Sequence, residues 1–165
     1  MKSARYISTR GGSPETDFAQ ALLRGMAPDG GLYMPREWPA LPAGGTDYAE
    51  IARAIMTPFI GHALPAGALD RAVDRLVAGF GHPDVTPLVE LEPGLHLLEL
   101  FHGPTAAFKD LAMQLAASLA DEALKASGDT LTLVVATSGD TGAAAVRAFA
   151  GAERICLVVL HPLDR

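Results

Sequence analysis

The hydrophobic positions change their period about halfway along the chain. In the first half apolar residues recur at helical spacing: Phe18, Ala21, Leu22 and Met26 share one face, then Tyr48, Ile51, Ala52, Ile55 and Phe59, then Leu69, Ala72, Val73, Leu76, Val77 and Phe80. The first helix is predicted to open with Ser13 as N-cap and Pro14 at the first helical position, and to stop at Gly25. Thr46 or Asp47 caps the second, and the third begins after Pro65. Tyr6-Ile7-Ser8-Thr9 reads as a short strand ending at Arg10-Gly11-Gly12, and Pro28-Asp29-Gly30-Gly31 turns the chain into Leu32-Tyr33-Met34. The Pro- and Gly-rich stretch between Glu37 and Gly45 reads as a connecting loop.

The breaker cluster Gly81-His82-Pro83-Asp84-Val85-Thr86-Pro87 marks the best boundary, dividing a mostly helical region, residues 1–85, from a second region, residues 86–165. Beyond it, Leu95-His96-Leu97-Leu98-Glu99-Leu100-Phe101 reads as a strand, either alternating with His96, Leu98 and Leu100 on one face or buried outright. The turn His102-Gly103-Pro104-Thr105-Ala106-Ala107-Phe108-Lys109-Asp110 follows and runs into a helix. Leu111, Leu115 and Leu119 are backed there by Ala112, Ala116, Ala120 and Ala123, with Asp121, Glu122 and Lys125 on the solvated side. That helix ends at Ser127-Gly128-Asp129. Leu131 to Ala136 is a nearly continuous β-prone run. It opens into Thr137-Ser138-Gly139-Asp140-Thr141-Gly142, a helix bearing Ala143, Ala144, Val146 and Phe149, and a strand from Arg154 to Leu160. Strand, polar loop, helix and strand make a βαβ unit with parallel strands and a right-handed crossover, so the fold class is α/β with a helical N-terminal region.

With 165 residues, 49% of them hydrophobic, the chain can bury a proper core. Its net charge of −6 argues against nucleic acid or anionic membrane as the main partner. The lone cysteine, Cys156, lies in an apolar run, reads as core filler and fits a reducing, cytoplasmic setting. Met1-Lys2-Ser3-Ala4-Arg5-Tyr6 is followed by no apolar h-region, and no apolar run reaches the length of a membrane span. Arg10, Arg24, Asp29, His62 and His82 are ordinary occupants of turns and helix faces, and Glu90, Glu92 and Glu99 form no evident acid–base pair. His102 precedes a Gly-Pro turn, where a histidine satisfied by local backbone is the commoner arrangement.

Two stretches carry chemistry. Lys109 sits in the opening turn of its helix, at the positive end of the dipole, where local preference favours an acid. Field and burial both penalise an ammonium there, and a neutral amine can form an imine with an aldehyde cofactor. In the second stretch, Gly139 and Gly142 let backbone N–H groups approach an anion at a helix N-terminus, and Ser138 and Thr141 add hydroxyls. Asp140 either caps that helix or hydrogen-bonds a protonated group on a cofactor. Neither a Gly-x-Gly-x-x-Gly run nor a Walker lysine supports nucleotide binding.

Leu98-Glu99-Leu100-Phe101 with the lysine turn, followed by Ala136-Thr137-Ser138-Gly139-Asp140-Thr141-Gly142-Ala143-Ala144, resembles the threonine synthases. These are pyridoxal-phosphate enzymes of the tryptophan-synthase-β-like fold. Tyr6-Ile7-Ser8-Thr9-Arg10-Gly11 and Ala27-Pro28-Asp29-Gly30-Gly31-Leu32-Tyr33 are similar to the family's N-terminal region. The resemblance implies that Lys109 holds pyridoxal 5'-phosphate as a Schiff base and shuttles protons, with Phe108 beside the cofactor. It also implies that Thr137, Ser138, Gly139 and Thr141 bind the substrate carboxylate, and that Asp140 stands near the cofactor's 3'-hydroxyl. The reaction implied converts O-phospho-L-homoserine and water to L-threonine and phosphate.

Ala106 departs from the leucine usual in the family's lysine motif. His161-Pro162-Leu163-Asp164-Arg165 stands where the family continues, ahead of the loop for the cofactor phosphate and the group facing the pyridine nitrogen. The expectation is an N-terminal portion that alone binds cofactor weakly and turns over poorly. The alternatives are a non-catalytic folding or interaction module whose exposed sheet edge meets another chain, and a related phospho-lyase.

Overall fold

The computed structural model describes residues 4–163, so residues 1–3 of the opening and 164–165 of the close lie outside the described residues. β1 (Tyr6–Ser8) pairs antiparallel with β2 (Tyr33–Pro35), Tyr6 opposite Pro35. Tyr6 also exchanges backbone hydrogen bonds with Thr16, at 2.9 and 3.0 Å. This bridge keeps the chain extended past Pro14, and α1 (Phe18–Arg24) therefore starts later than predicted. Asp17, not Ser13, is its N-cap, accepting from the Gln20 amide at 2.9 Å. The Ser13 hydroxyl instead accepts from the Asp29 amide. Helix α1 stops at Gly25 as expected, which leaves Met26 exposed beyond it.

Asp29 organises this corner. Its carboxyl accepts from the Ser8 hydroxyl at 2.7 Å and from the amides of Gly12 and Gly31 at 2.7 and 3.0 Å. The Ser8 hydrogen bond, helped by those amides, lowers its pKa to about 2.

α2 (Tyr48–Ile60) is capped by Asp47, which accepts from the Glu50 amide, while Glu50 accepts from the amide and hydroxyl of Thr46. Its predicted stripe is only partly inward. Ile60 and Met56 reach the core, whereas Ile51 and Ile55 stay exposed because α2 packs mainly on α3 alone. α3 (Ala68–Gly79) buries Ala68, Ala72, Val73 and Leu76, the face its spacing marks out. β3 (Leu88–Glu92) and β4 (Leu95–Leu98) form an antiparallel hairpin exposed along its whole length. The expected strand through Phe101 thus ends at Leu98, and it is neither buried nor amphipathic.

α4 (Lys109–Ser127) is the central element, 19 residues and so about 28 Å long. On one side Leu119, with Leu115, packs against Ile60 and Ala72. On the other, Ala120 and Leu124 pack against Ile155, Leu131 and Leu133. Gly128, with φ 81°, stops it in a left-handed cap that an L side chain would strain. β5 (Leu131–Ala136) and β6 (Ile155–Leu160) pair in parallel, Leu131 opposite Ile155 and Ala136 opposite Leu160, with α5 (Asp140–Phe149) between them in sequence. The predicted parallel βαβ unit is present. One face of the strand pair meets the helices, while the other, bearing Thr132, Val134, Ala136, Cys156, Val158 and Leu160, is exposed. Cys156 is therefore a surface residue and not core filler.

Asp121 also departs from expectation. It is buried, not solvated, and its Oδ1 accepts from the amides of Glu153 and Arg154 at 3.0 and 2.9 Å. Lys125 pairs with its other oxygen at 2.9 Å. Burial pushes the Asp121 pKa up, but the Lys125 ammonium and the two amides outweigh it, so the net shift is downward.

Both depressed carboxyls stabilise the fold above the ordinary carboxylate range, and that contribution is lost as pH falls through their folded values. Asp29→Asn is expected to flatten the loss of stability between about pH 4 and pH 2, read from urea midpoints across that range. Asp121→Ala leaves two part-buried amides without their acceptor and takes from the Lys125 ammonium one of its two carboxylates, and is expected to destabilise the fold by about 2–3 kcal/mol at pH 7 in urea unfolding.

Candidate active site

The lysine turn is shaped by Asp110. This side chain is fully buried at the second position of α4 and folds back over the turn. Its Oδ2 accepts from the Thr105 amide and its Oδ1 from the Thr105 hydroxyl, each at 2.8 Å. Gly103 lies so close that a Cβ there would stand 2.5 Å from Oδ2 and 2.7 Å from the Asp110 Cβ, a space only glycine fits. The Ala106 amide donates to Gly103 O at 3.0 Å, and Ala106 takes up φ 57° to close the turn.

Phe108 precedes the helix with no side-chain cap, so Asp110 supplies the acid that the positive helix end calls for. The charge placement at Lys109 is thus offset one residue on. The acid lay in plain view in the sequence, and its position in the first turn was the signal. Lys109 Nζ lies 4.3 Å from the centroid of the Phe108 ring. Lys125 is tied to Asp121 and Glu153 at 2.9 Å each, whereas Lys109 makes no ion pair with the described residues.

The second stretch follows β5. The Thr137 amide donates to Leu160 O at 3.1 Å, extending the strand pairing by one bond. Thr137 Oγ1 then accepts from the amides of Gly139 and Gly142 at 3.3 and 3.1 Å. A Cβ on Gly142 would meet Thr137 Cγ2 at 2.5 Å, so this position too requires glycine. Gly139, not Asp140, is the N-cap of α5, and no side chain caps that helix. The Asp140 carboxyl is exposed and left for other use. The amides of Ser138, Asp140 and Thr141 donate to no acceptor among the described residues, as the first turn of a helix dictates.

The C-terminal turns of α4 and Phe149 of α5 pack beside the first residues of β5 and β6. Both helices therefore run against the strands, and their N-termini lie at the edge where the strands end. This topology puts Lys109 with Phe108, and the loop from Thr137 to Thr141, at one edge of the sheet, the usual place for ligands in such units. An open cleft of about 430 Å³ lies there, lined by Ala136, Thr137, Ser138, Leu160, His161 and Pro162. Lys109 and Phe108 do not line it. His102 is satisfied not by backbone but by Glu99, whose Oε2 lies 2.6 Å from its Nε2. Glu99 and His102 stand three apart on an irregular segment, so no periodic pattern in the sequence signals that pairing.

Residues 5–76 match the family described as threonine synthase N terminus. The chain is 42% identical over 175 residues to a threonine synthase of Schizosaccharomyces pombe, covering 97% of this chain and 34% of that protein. It is 40% identical over 164 residues to a human protein named threonine synthase-like 2, covering 95% of this chain and 34% of that one. Among solved structures it superposes on PLP-bound threonine synthase from Brucella melitensis with a TM-score of 0.94 at 46% identity. The match covers 99% of this chain and 36% of that one. The chain thus spans about a third of the length of the relatives it matches.

Two neighbouring turn positions should respond in opposite ways. Gly103→Ala crowds the buried Asp110 and is expected to cost about 1–3 kcal/mol. Ala106→Gly releases a left-handed residue and is expected to be neutral or stabilising by up to about 1 kcal/mol. Urea midpoints with unchanged m-values read both.

Proposed function

We propose that this chain, which carries the N-terminal part of the threonine synthase fold, supplies the lysine and the anion-binding loop of a pyridoxal 5'-phosphate enzyme. Its reaction would convert O-phospho-L-homoserine and water to L-threonine and phosphate. The observation that carries this reading is Lys109, free of any ion pair with the described residues and at the same sheet edge as a loop with unclaimed amides. These residues fit the cofactor: an available amine for its aldehyde, an aromatic ring beside that amine, and a carboxyl at Asp140 free of capping duty. When bound, the cofactor supplies an electron sink that acidifies the substrate's Cα–H bond.

The chain's own groups do the rest. Lys109 Nζ holds the cofactor and, once displaced by substrate, moves protons at Cα. The hydroxyls of Ser138 and Thr141, with the unclaimed amides of the loop, hold the substrate carboxylate, as suits a helix N-terminus. Thr137 works from behind, since its hydroxyl oxygen fixes the amides of Gly139 and Gly142 and so sets the shape of the loop. Phe108 lies along the cofactor and Asp140 near its 3'-hydroxyl. We assign residues 1–85 to a helical domain and residues 86–165 to the start of the catalytic α/β domain, in a protein of the cytoplasm.

Reduction with borohydride in the presence of pyridoxal 5'-phosphate is expected to leave the pyridoxyl group on Lys109 in peptide maps, and Lys109→Ala to abolish it. A label confined to Lys125 sinks the reading. One second reading is a related phospho-lyase that uses the same lysine to eliminate phosphate without making threonine. Phosphate release from O-phospho-L-homoserine by the complete enzyme without L-threonine would establish that instead.

A further inference from the structure

The linker of residues 81–87 and the run into the lysine turn are clasped together. The Gly81 amide donates to His102 O at 2.8 Å, and the Glu99 amide to Pro87 O at 3.0 Å. Between these bonds the His102 ring lies 5.0 Å from the His82 ring and 4.7 Å from Phe101, centroid to centroid. Its Nε2 meets Glu99 Oε2 at 2.6 Å, with both side chains about one-fifth exposed. His82 Nδ1 accepts from the Asp84 amide at 3.1 Å, which fixes the orientation of its ring in the stack.

Backbone strain marks the same clasp. Val85, fully buried, sits at φ 61°, a conformation costly for a β-branched residue and kept only where the surroundings over-determine it. Among the described residues, the other non-glycine at positive φ is Ala106, inside the lysine turn. The strain thus lies on both sides of His102, in the segment that grips it and in the segment it leads into.

We propose that His102 is a positioning residue for Lys109. Glu99 fixes the imidazole, His82 backs it, and through Gly103 and Pro104 it sets one end of the turn whose other end Asp110 holds. The charged and titratable groups around it are Glu99 on its own run and His82 and Asp84 on the linker, with Asp110 beyond Gly103. The proposal rests on the reading of Lys109 as an imine-forming lysine.

The test follows pyridoxyl labelling of Lys109 by pyridoxal 5'-phosphate and cyanoborohydride from pH 5 to 9, with Lys125 as internal reference. Amide exchange at Gly81 and Thr105 and the thermal midpoint are measured alongside. His102→Leu is expected to slow labelling of Lys109 about tenfold or more and to speed both amide exchanges. His102→Gln, which keeps an N–H donor for Glu99, recovers most of the rate. Glu99→Gln falls between them. Wild-type rates and pH profile in His102→Leu and Glu99→Gln overturn the proposal. If His102→Leu does not fold, the isosteric Glu99→Gln decides alone. If wild-type Lys109 takes no label, the functional reading fails, and exchange at Gly81 and Thr105 still decides the clasp.

Discussion

A buried carboxyl group is among the most demanding things a fold can contain, because every acceptor site it carries must be filled or its desolvation is uncompensated. Asp110 meets that demand with two hydrogen bonds from Thr105 and the opening turn of α4. Those bonds draw the preceding residues over the helix end so tightly that position 103 has no room for a side chain and position 106 is forced to positive φ. The lysine next to Asp110 inherits its place from this arrangement. The turn is therefore specified less by Lys109 than by the buried acid beside it.

Helix α4 extends that constraint through the molecule. Leu115 and Leu119 face the N-terminal helices, Ala120 and Leu124 face the strands, and Leu22 of α1 touches both groups. Asp121 pins the same helix to the start of β6 through backbone amides. The N-terminal helices and the βαβ unit thus share one rod, and the rod's first residue is Lys109.

Features that depend on local chemistry were legible in the sequence. The face of α3, the glycine stops of α1 and α4, a cap for α2 at Thr46 or Asp47, the parallel βαβ unit and the placement of Lys109 at a helix start all follow from spacing and turn residues. Features set by partners distant in sequence were not. The Tyr6–Thr16 bridge delays α1, and the amides of Glu153 and Arg154 draw Asp121 inward. The β3–β4 hairpin lacks a packing partner among the described elements, so its apolar residues gave a misleading impression of burial. At the site, Lys109 and the loop residues stand out by type, but the Glu99–His102 and Thr105–Asp110 pairings join residues on irregular backbone that periodicity does not encode.

The bond from the Thr137 amide to Leu160 O has a mechanical meaning. The loop from Thr137 to Thr141 is not a free tether at the end of β5, because its first residue is buttressed by the last residue of β6. Displacement of the chain leaving Leu160 would be felt at the loop without passing through α5. Whatever grips His161 and Pro162 thus holds a short lever on the shape of that loop.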